Sequence, residues 1–281
     1  MKDYRILDFV FTGFVYLIAF VCSIVEVHER PIPGIRYRLN STAVAWGLDP
    51  SIDKVKLAEE VPMWLAIVLG IGLPASINLI VNFVLPKFCQ VRIIAHDTRD
   101  FLLSLFQAMA FASLFTQFTK NIIGRFRPSF YSMCKWNYDV VWDGVTNLCT
   151  DAVGEKEGRK SFPSGHASCS WATMLTLSLY LLGRFRLNNP NCKLQHGRKT
   201  LVMAFCCLPL LLAVWICVTR STDNWHHYSD ILAGSVIGAG AAIVAFSSNY
   251  GSVFSWDFAG LPIETIHEHL KVIITLDEIY M

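Results

Sequence analysis

LVMAFCCLPLLLAVWICVTRSTDNWHHYSDILAGSVIGAGAAIVAF, residues 201–246, decides the fold: two apolar runs, Leu201 to Val218 and Ile231 to Phe246, flank one compact polar cluster. A helix crosses the hydrocarbon core of a bilayer with about 20 apolar residues. A polar turn between two such runs reverses the chain at the membrane surface. Outward from this pair, four further runs have that character: Ile6 to Val25, Met63 to Val84, Phe101 to Phe118 and Ala167 to Leu182. The pattern predicts an all-α polytopic membrane protein, a six-transmembrane-helix bundle forming one integral membrane domain over residues 1–281.

Composition agrees. Of the 281 residues 53% are hydrophobic and 16% charged, against about 25% charged in soluble domains. A net charge of +2 gives no basis for a nucleic-acid partner, so the lipid bilayer is the expected environment and partner. The MKDYR head enters the first run without a small-residue cleavage site, which reads as a signal anchor rather than a removed leader. Homo-oligomerisation is left open.

Within the runs, the fourth is the least apolar. It carries Ser168, Ser170, Thr173, Thr176 and Ser178, whose hydroxyls can bond back to their own helix or across to a neighbour. Gly234 and Gly238 stand at GxxxG spacing in the sixth run, followed by Gly240. Close packing of two helix backbones is one reading, and small residues placed by chance the other. Gly70, Gly72 and Pro74 predict a kink in the second. Asp8 belongs near an interface, because a carboxylate at mid-membrane is costly.

Three polar clusters occupy the ends of the runs. KNIIGRFRP (Lys120 to Pro128) follows the third, PSGH (Pro163 to His166) opens the fourth, and RSTDNWHHYSD (Arg220 to Asp230) separates the fifth from the sixth. Six crossings put all three on the same side. Arg184, Arg186, Lys193, Arg198 and Lys199 concentrate between the fourth and fifth runs, which the positive-inside rule makes cytoplasmic. Both termini are then cytoplasmic and the clusters face the exterior or a lumen. Arg30, Arg36, Arg38, Lys54 and Lys56 in the first outer loop run against the rule. The same loop carries Asn40-Ser41-Thr42, an N-glycosylation sequon that agrees with it. Nine Cys are present without a Cys-x-x-Cys metal spacing. Cys134 and Cys149 share one polar loop and could pair as a disulfide in an oxidising compartment.

The clusters hold what is needed to grip and attack a phosphate. Arg offers planar paired donors and Lys a point charge. Lys120 and Arg127 are seven apart, so they share a face of a helix that Pro128 ends; ordinary basic residues at a membrane boundary are the competing reading. Arg125 reads as a surface or interface residue. Pro163 and Ser164 read as a helix start, with Ser161 or Ser164 as cap. Gly165 admits backbone N–H groups to an oxyanion, and His166 falls in the first turn. A merely polar helix start fits these residues equally well. His226 and Asp230, four apart, share a helical face if the helix begins before them, and such an Asp fixes a His tautomer. Arg220 adds a phosphate donor. His227 points elsewhere and reads as structural, as do Asp223 and Trp225. A metal at His226, His227 and Asp230 is disfavoured, because adjacent His residues on a regular helix cannot face one ion.

Lys-x6-Arg-Pro, Pro-Ser-Gly-His and Arg-x5-His-x3-Asp, in this order, resemble the three-part signature of the type 2 phosphatidic acid phosphatases. GRFRP, FPSGHAS and DNWHHYSDILAG are most similar to the lipid phosphate phosphatase branch. The resemblance runs from about Phe115 to Gly240. It implies a phosphatase/haloperoxidase-like catalytic core with motifs within 115–240. It also implies that His226 is the nucleophile, Asp230 its orienting carboxylate and His166 the proton donor. Lys120, Arg127, Ser164, Gly165 and Arg220 would hold the phosphate oxygens, with no metal and no cofactor, so the reaction would be Mg-independent. The implied substrates are phosphatidate, lysophosphatidate, sphingosine 1-phosphate and ceramide 1-phosphate, in the plasma membrane, endoplasmic reticulum or Golgi. Thr219 stands where the family usually has Ser, and keeps the hydroxyl. A non-catalytic lipid-binding or scaffolding relative, or a phosphatase of soluble sugar phosphates, are the alternatives.

Overall fold

The computed structural model describes residues 5–88, 92–187, 196–255 and 257–267. Lys193, one of the basic residues expected on the cytoplasmic side, lies outside them. In chain order the elements are α1 (Ile6–Ile24), β1 (Gly34–Arg38), β2 (Val44–Leu48), α2 (Met63–Leu79), α3 (Asp97–Ile123), the short α4 (Phe130–Met133) and α5 (Ala152–Gly158), α6 (Gly165–Phe185), α7 (His196–Thr222) and α8 (Tyr228–Asn249).

Among the described residues, five helical stretches are long and apolar enough to cross a membrane: Ile6–Ile24, Met63–Lys87, Asp97–Ile123, Gly197–Thr222 and Tyr228–Asn249. The chain is an all-α polytopic membrane protein. The remaining expected span, α6, has 21 residues but is not among those five. Its position explains the weaker hydropathy. It is packed against α2, α3, α7 and α8, so it meets protein where the others meet lipid. Ser168, Ser170, Thr173, Thr176 and Ser178 are all buried. Thr173 and Thr176 donate to the carbonyls of Cys169 (3.0 Å) and Ala172 (2.7 Å), and Thr116 of α3 donates to Ser168 Oγ at 2.9 Å.

The glycine pair of α8 has a mechanical reason. A Cβ at Gly234 would run into the Ser164 carbonyl oxygen, and one at Gly238 into that of Ser168, so α8 lies directly on the α6 backbone. Gly240 faces away, with no described atom within 4 Å of such a Cβ. Ala108, Ala112, Ala172, Ala241 and Ala245 continue the small-residue seam where α3, α6 and α8 meet. In α2 the helix continues through Pro74 to Leu79 and then widens into a π-helical turn, Ile80–Val84.

One end of the bundle is tied by buried charge. Asp97, at the start of α3, accepts from Asn82 Nδ2 (2.7 Å), Tyr180 OH (2.7 Å) and Tyr250 OH (3.0 Å), linking the C-terminal ends of α6 and α8. Nearby, Asp100 pairs with Arg5 and Arg99. Glu264 belongs to this network as well, pairing with Arg99 and approaching Arg5 at 4.0 Å. Two arginines at the helix ends thus hold a glutamate that stays about half exposed, at 48%.

The other end gathers the C-terminus of α3, the N-termini of α6 and α8 and the end of α7. A cap of loops covers it. Ile52, Phe126, Phe130, Tyr131, Trp136 and Trp142 form its core, and Cys134 and Cys149 are joined as a disulfide. β1 and β2 pair antiparallel, Gly34 opposite Leu48, and Trp46 of β2 meets Trp142 edge-on. The hairpin turn exposes Asn40, whose Oδ1 accepts the N–H of Thr42 (2.9 Å) and Ala43 (2.6 Å).

Candidate active site

The three clusters meet under this cap. α3 ends at Ile123, earlier than Pro128 would dictate, because Gly124 takes the left-handed conformation (φ 57°) and its N–H bonds back to Lys120 O at 3.1 Å. A side chain at Gly124 would strike the His28 carbonyl, so the close approach reinforces the glycine. Lys120 lies in the last turn of α3 and Arg127 beyond the helix. The expected shared helical face does not form. Both side chains are nevertheless buried at the site. Lys120 Nζ donates to Lys160 O at 2.8 Å, and the Arg127 guanidinium stacks 4.7 Å from the centre of the Trp225 ring.

The second and third clusters supply two helix starts. Ser164 caps α6, its Oγ accepting from Ala167 N at 3.5 Å, and Gly165 and His166 form the first turn. Ser164 N donates to Asp230 O at 2.9 Å, so the two starts are bonded to each other. α8 begins at Tyr228 with His227 as its cap. The Asp230 side chain accepts from His227 N at 3.0 Å, and His227 Nε2 turns to Phe126 O at 3.2 Å. His226 consequently precedes the helix, correcting the expectation that it shares a helical face with Asp230. The turn still brings His226 Nδ1 to 3.8 Å from Asp230 Oδ2.

Asp230 is fully buried and held from three directions. Besides His227 N, Ser161 Oγ donates at 2.6 Å and Arg125 Nη1 at 2.7 Å. Arg125 is therefore a partner of the site's carboxylate, where the sequence suggested a bystander at the surface. Arg220, also fully buried, bonds Asp223 Oδ2 at 3.0 Å and Thr219 Oγ1 at 3.1 Å, so the Thr219 hydroxyl does hold the guanidinium. Arg220 Nη1 lies 3.5 Å from His166 Nε2. Burial, reinforced by the charges of Arg127 and Lys120, pushes the His226 imidazole down to about 3 against the pull of Asp230. His226 is thus neutral near pH 7, the form in which an imidazole nitrogen is a nucleophile. Among the described residues, no group of three or more His, Cys, Asp or Glu stands where it could hold a metal ion.

Lys120, Arg127 and Arg220 thus gather around a neutral His226 with the Asp230 carboxylate behind it. The sequence profile described as the PAP2 superfamily matches residues 101–253, which contain every one of these groups. The chain belongs to the PAP2 superfamily. A PA-phosphatase related-family protein of Dictyostelium discoideum is 32% identical to it over 76% of this chain and 69% of its own length. Lipid phosphate phosphatase 1 of Arabidopsis thaliana is 35% identical over 68% of this chain and 55% of its own. Diacylglycerol pyrophosphate phosphatase 1 of Saccharomyces cerevisiae is 35% identical over 49% and 47%. No solved structure matches the chain.

Three groups of this PAP2 site escape motif reading: Arg125, Ser161 and Glu59. Arg125 and Ser161 sit inside or beside the quoted clusters, yet neither spacing nor residue type links them to Asp230, which is 105 and 69 positions away. Glu59 comes from the segment before α2, and its Oε2 lies 2.9 Å from Arg220 Nη1 and 3.5 Å from His166 Nε2. No sequence signal announces it.

Proposed function

We propose that this PAP2 protein hydrolyses lipid phosphate monoesters, such as phosphatidate, lysophosphatidate, sphingosine 1-phosphate and ceramide 1-phosphate, through a phosphohistidine on His226. The observation that carries the reading is the convergence of Lys120, Arg127 and Arg220 around His226 and His166 at one end of a membrane bundle. With Nδ1 directed at Asp230, His226 offers Nε2 to phosphorus. The P–O bond to the lipid breaks as the N–P bond forms, and His166 protonates the departing alkoxide. Water then attacks the phosphohistidine, giving up its proton to His166, and inorganic phosphate leaves. Lys120, Arg127, Arg220 and the N–H groups around Ser164 and Gly165 hold the non-bridging oxygens. Three cations supply the charge stabilisation that Mg²⁺ gives at other phosphoryl-transfer sites, so the reaction needs no metal.

The relatives named as lipid phosphate phosphatases support the substrate class. The exposed Asn40 lies on the same end of the bundle as the site, which supports an extracellular or luminal active site with cytoplasmic termini. The test is phosphate release from phosphatidate in mixed micelles with excess EDTA, together with acid-quench trapping of labelled phosphoprotein. His226→Ala should lose both the trapped label and at least about 10³-fold in turnover. A near-normal rate in that variant, or loss of wild-type activity on chelation, refutes the scheme.

A further inference from the structure

Glu59 occupies a place that the proposed chemistry reserves for substrate. Its Oε2 bridges Arg220 Nη1 (2.9 Å) and His166 Nε2 (3.5 Å), one a phosphate ligand and the other the donor to the leaving oxygen. A phosphate dianion arriving between these groups displaces the carboxylate from Arg220 by like-charge repulsion. It cannot displace the segment easily, because the backbone on both sides is latched to the third cluster. Glu60 N donates to Asp223 Oδ2 at 3.0 Å, Trp225 Nε1 donates to Leu57 O at 3.1 Å, and Asn224 Nδ2 donates to Val55 O at 3.0 Å. The Glu59 side chain, 23% exposed, is therefore the part that yields, by giving up its bond to Arg220. With His166 as the donor to the leaving oxygen, a carboxylate tethered beside His166 Nε2 remains next to that oxygen.

We infer that Glu59 is a specificity-determining residue that sorts substrates by the charge next to the leaving oxygen. The inference rests on the phosphatase reading above. A headgroup with an ammonium or hydroxyl on the carbon adjacent to the phosphoester carbon gives the displaced carboxylate a hydrogen-bond donor. An esterified position gives it nothing, and a second phosphate in place of the alkoxide repels it. Wild-type protein thus favours sphingosine 1-phosphate and lysophosphatidate with a free 2-hydroxyl, then phosphatidate, and disfavours diacylglycerol pyrophosphate.

The experiment compares kcat/KM for sphingosine 1-phosphate, phosphatidate and diacylglycerol pyrophosphate in mixed micelles, using the full chain and Glu59→Gln. A partly exposed charge-assisted contact is worth a factor of about 5. Glu59→Gln should lower the sphingosine 1-phosphate to phosphatidate ratio by about that factor and raise the diphosphate to phosphatidate ratio by a similar one. Equal change on all three lipids, or loss of all turnover in a folded variant, overturns the inference and leaves Glu59 as a brace for Arg220. If Glu59→Gln fails to fold, Glu59→Asp, which withdraws the carboxylate by one methylene, must move the same ratios in the same directions; unmoved ratios overturn it. Wild-type release of phosphate is the separate control. Its absence refutes the phosphatase reading and the inference together, whereas release with unmoved ratios refutes the inference alone.

Discussion

Gly234→Ala adds one methyl group at the seam on which the site is built. The new Cβ would overlap the Ser164 carbonyl oxygen and stand 3.0 Å from the Ala167 Cβ, where ordinary contact begins near 3.4 Å. The oxygen belongs to the backbone, so no rotamer change relieves it, and α6 and α8 must separate. Overpacking of this kind costs about 1–3 kcal/mol, offset by up to about 1 kcal/mol because Ala is the better helix residue. A net loss of about 1–2 kcal/mol is expected. The effect on turnover is larger, because Ser164, Gly165 and His166 ride on α6 while Asp230 rides on α8. Their separation is on the order of 1 Å, a misplacement that costs about 10²-fold in rate. The assay is thermal unfolding in detergent together with phosphate release from phosphatidate micelles. Gly240→Ala is the internal control, since nothing described lies within 4 Å of a Cβ there. It should keep full activity and gain a little stability. Gly234→Ala with wild-type melting and turnover would refute the account of the seam.

Asp230→Asn should be severe in both respects. Ser161 Oγ, His227 N and Arg125 Nη1 all donate to the carboxylate, and an amide nitrogen placed among them leaves a buried donor unpaired at about 1–3 kcal/mol; turnover should fall about 10⁴-fold, as when a His loses its orienting carboxylate, and activity within about tenfold of wild type would contradict it. The imidazole of His226 is held near 3, below its usual value near 6.5, so between those limits the unfolded chain binds the extra proton. This contribution to stability is complete above the unfolded value and declines as pH falls through it, by up to about 1.4 kcal/mol per unit. His226→Gln should flatten the melting temperature against pH between these values; an unchanged slope removes His226 as its source.

What the sequence made legible was carried by short-range spacing. The three clusters, the GxxxG pair of α8 and the Ser164 cap are local patterns whose physical causes act within a few residues. Helix ends were harder. GRFRP contains two stop signals, and Gly124, through its left-handed backbone, acts before Pro128 can. At α8 the cap is His227, a residue type with no strong capping preference, so nothing in DNWHHYSD marked Tyr228 as the first helical residue. The hydropathy of α6 misleads for the opposite reason: a helix enclosed by four others has no need of a lipid-compatible surface, and the hydroxyls of Ser168, Ser170, Thr173 and Thr176 are satisfied by carbonyls of their own helix. Arg125, Ser161 and Glu59 were invisible because their partners lie 69 to 161 positions away, and only the bundle brings them together.

Asp230 explains why the clusters cannot be separated into a binding part and a chemical part. Its side chain binds Arg125 of the first cluster region, Ser161 beside the second and His227 of the third, while its carbonyl accepts from Ser164 N. One buried carboxylate thus closes the helix start of α8, fixes α6 against it and faces the His226 ring. A buried charge is stable only when its partners are all in place. Folding of the site ends of α3, α6 and α8 and orientation of His226 are consequently one event. A change that loosens any of the three partners should therefore reach the imidazole through Asp230, even where the altered residue never touches phosphate. The same coupling accounts for the close glycine seam: it holds α6 and α8 at the separation that the hydrogen bond from Ser164 to Asp230 requires.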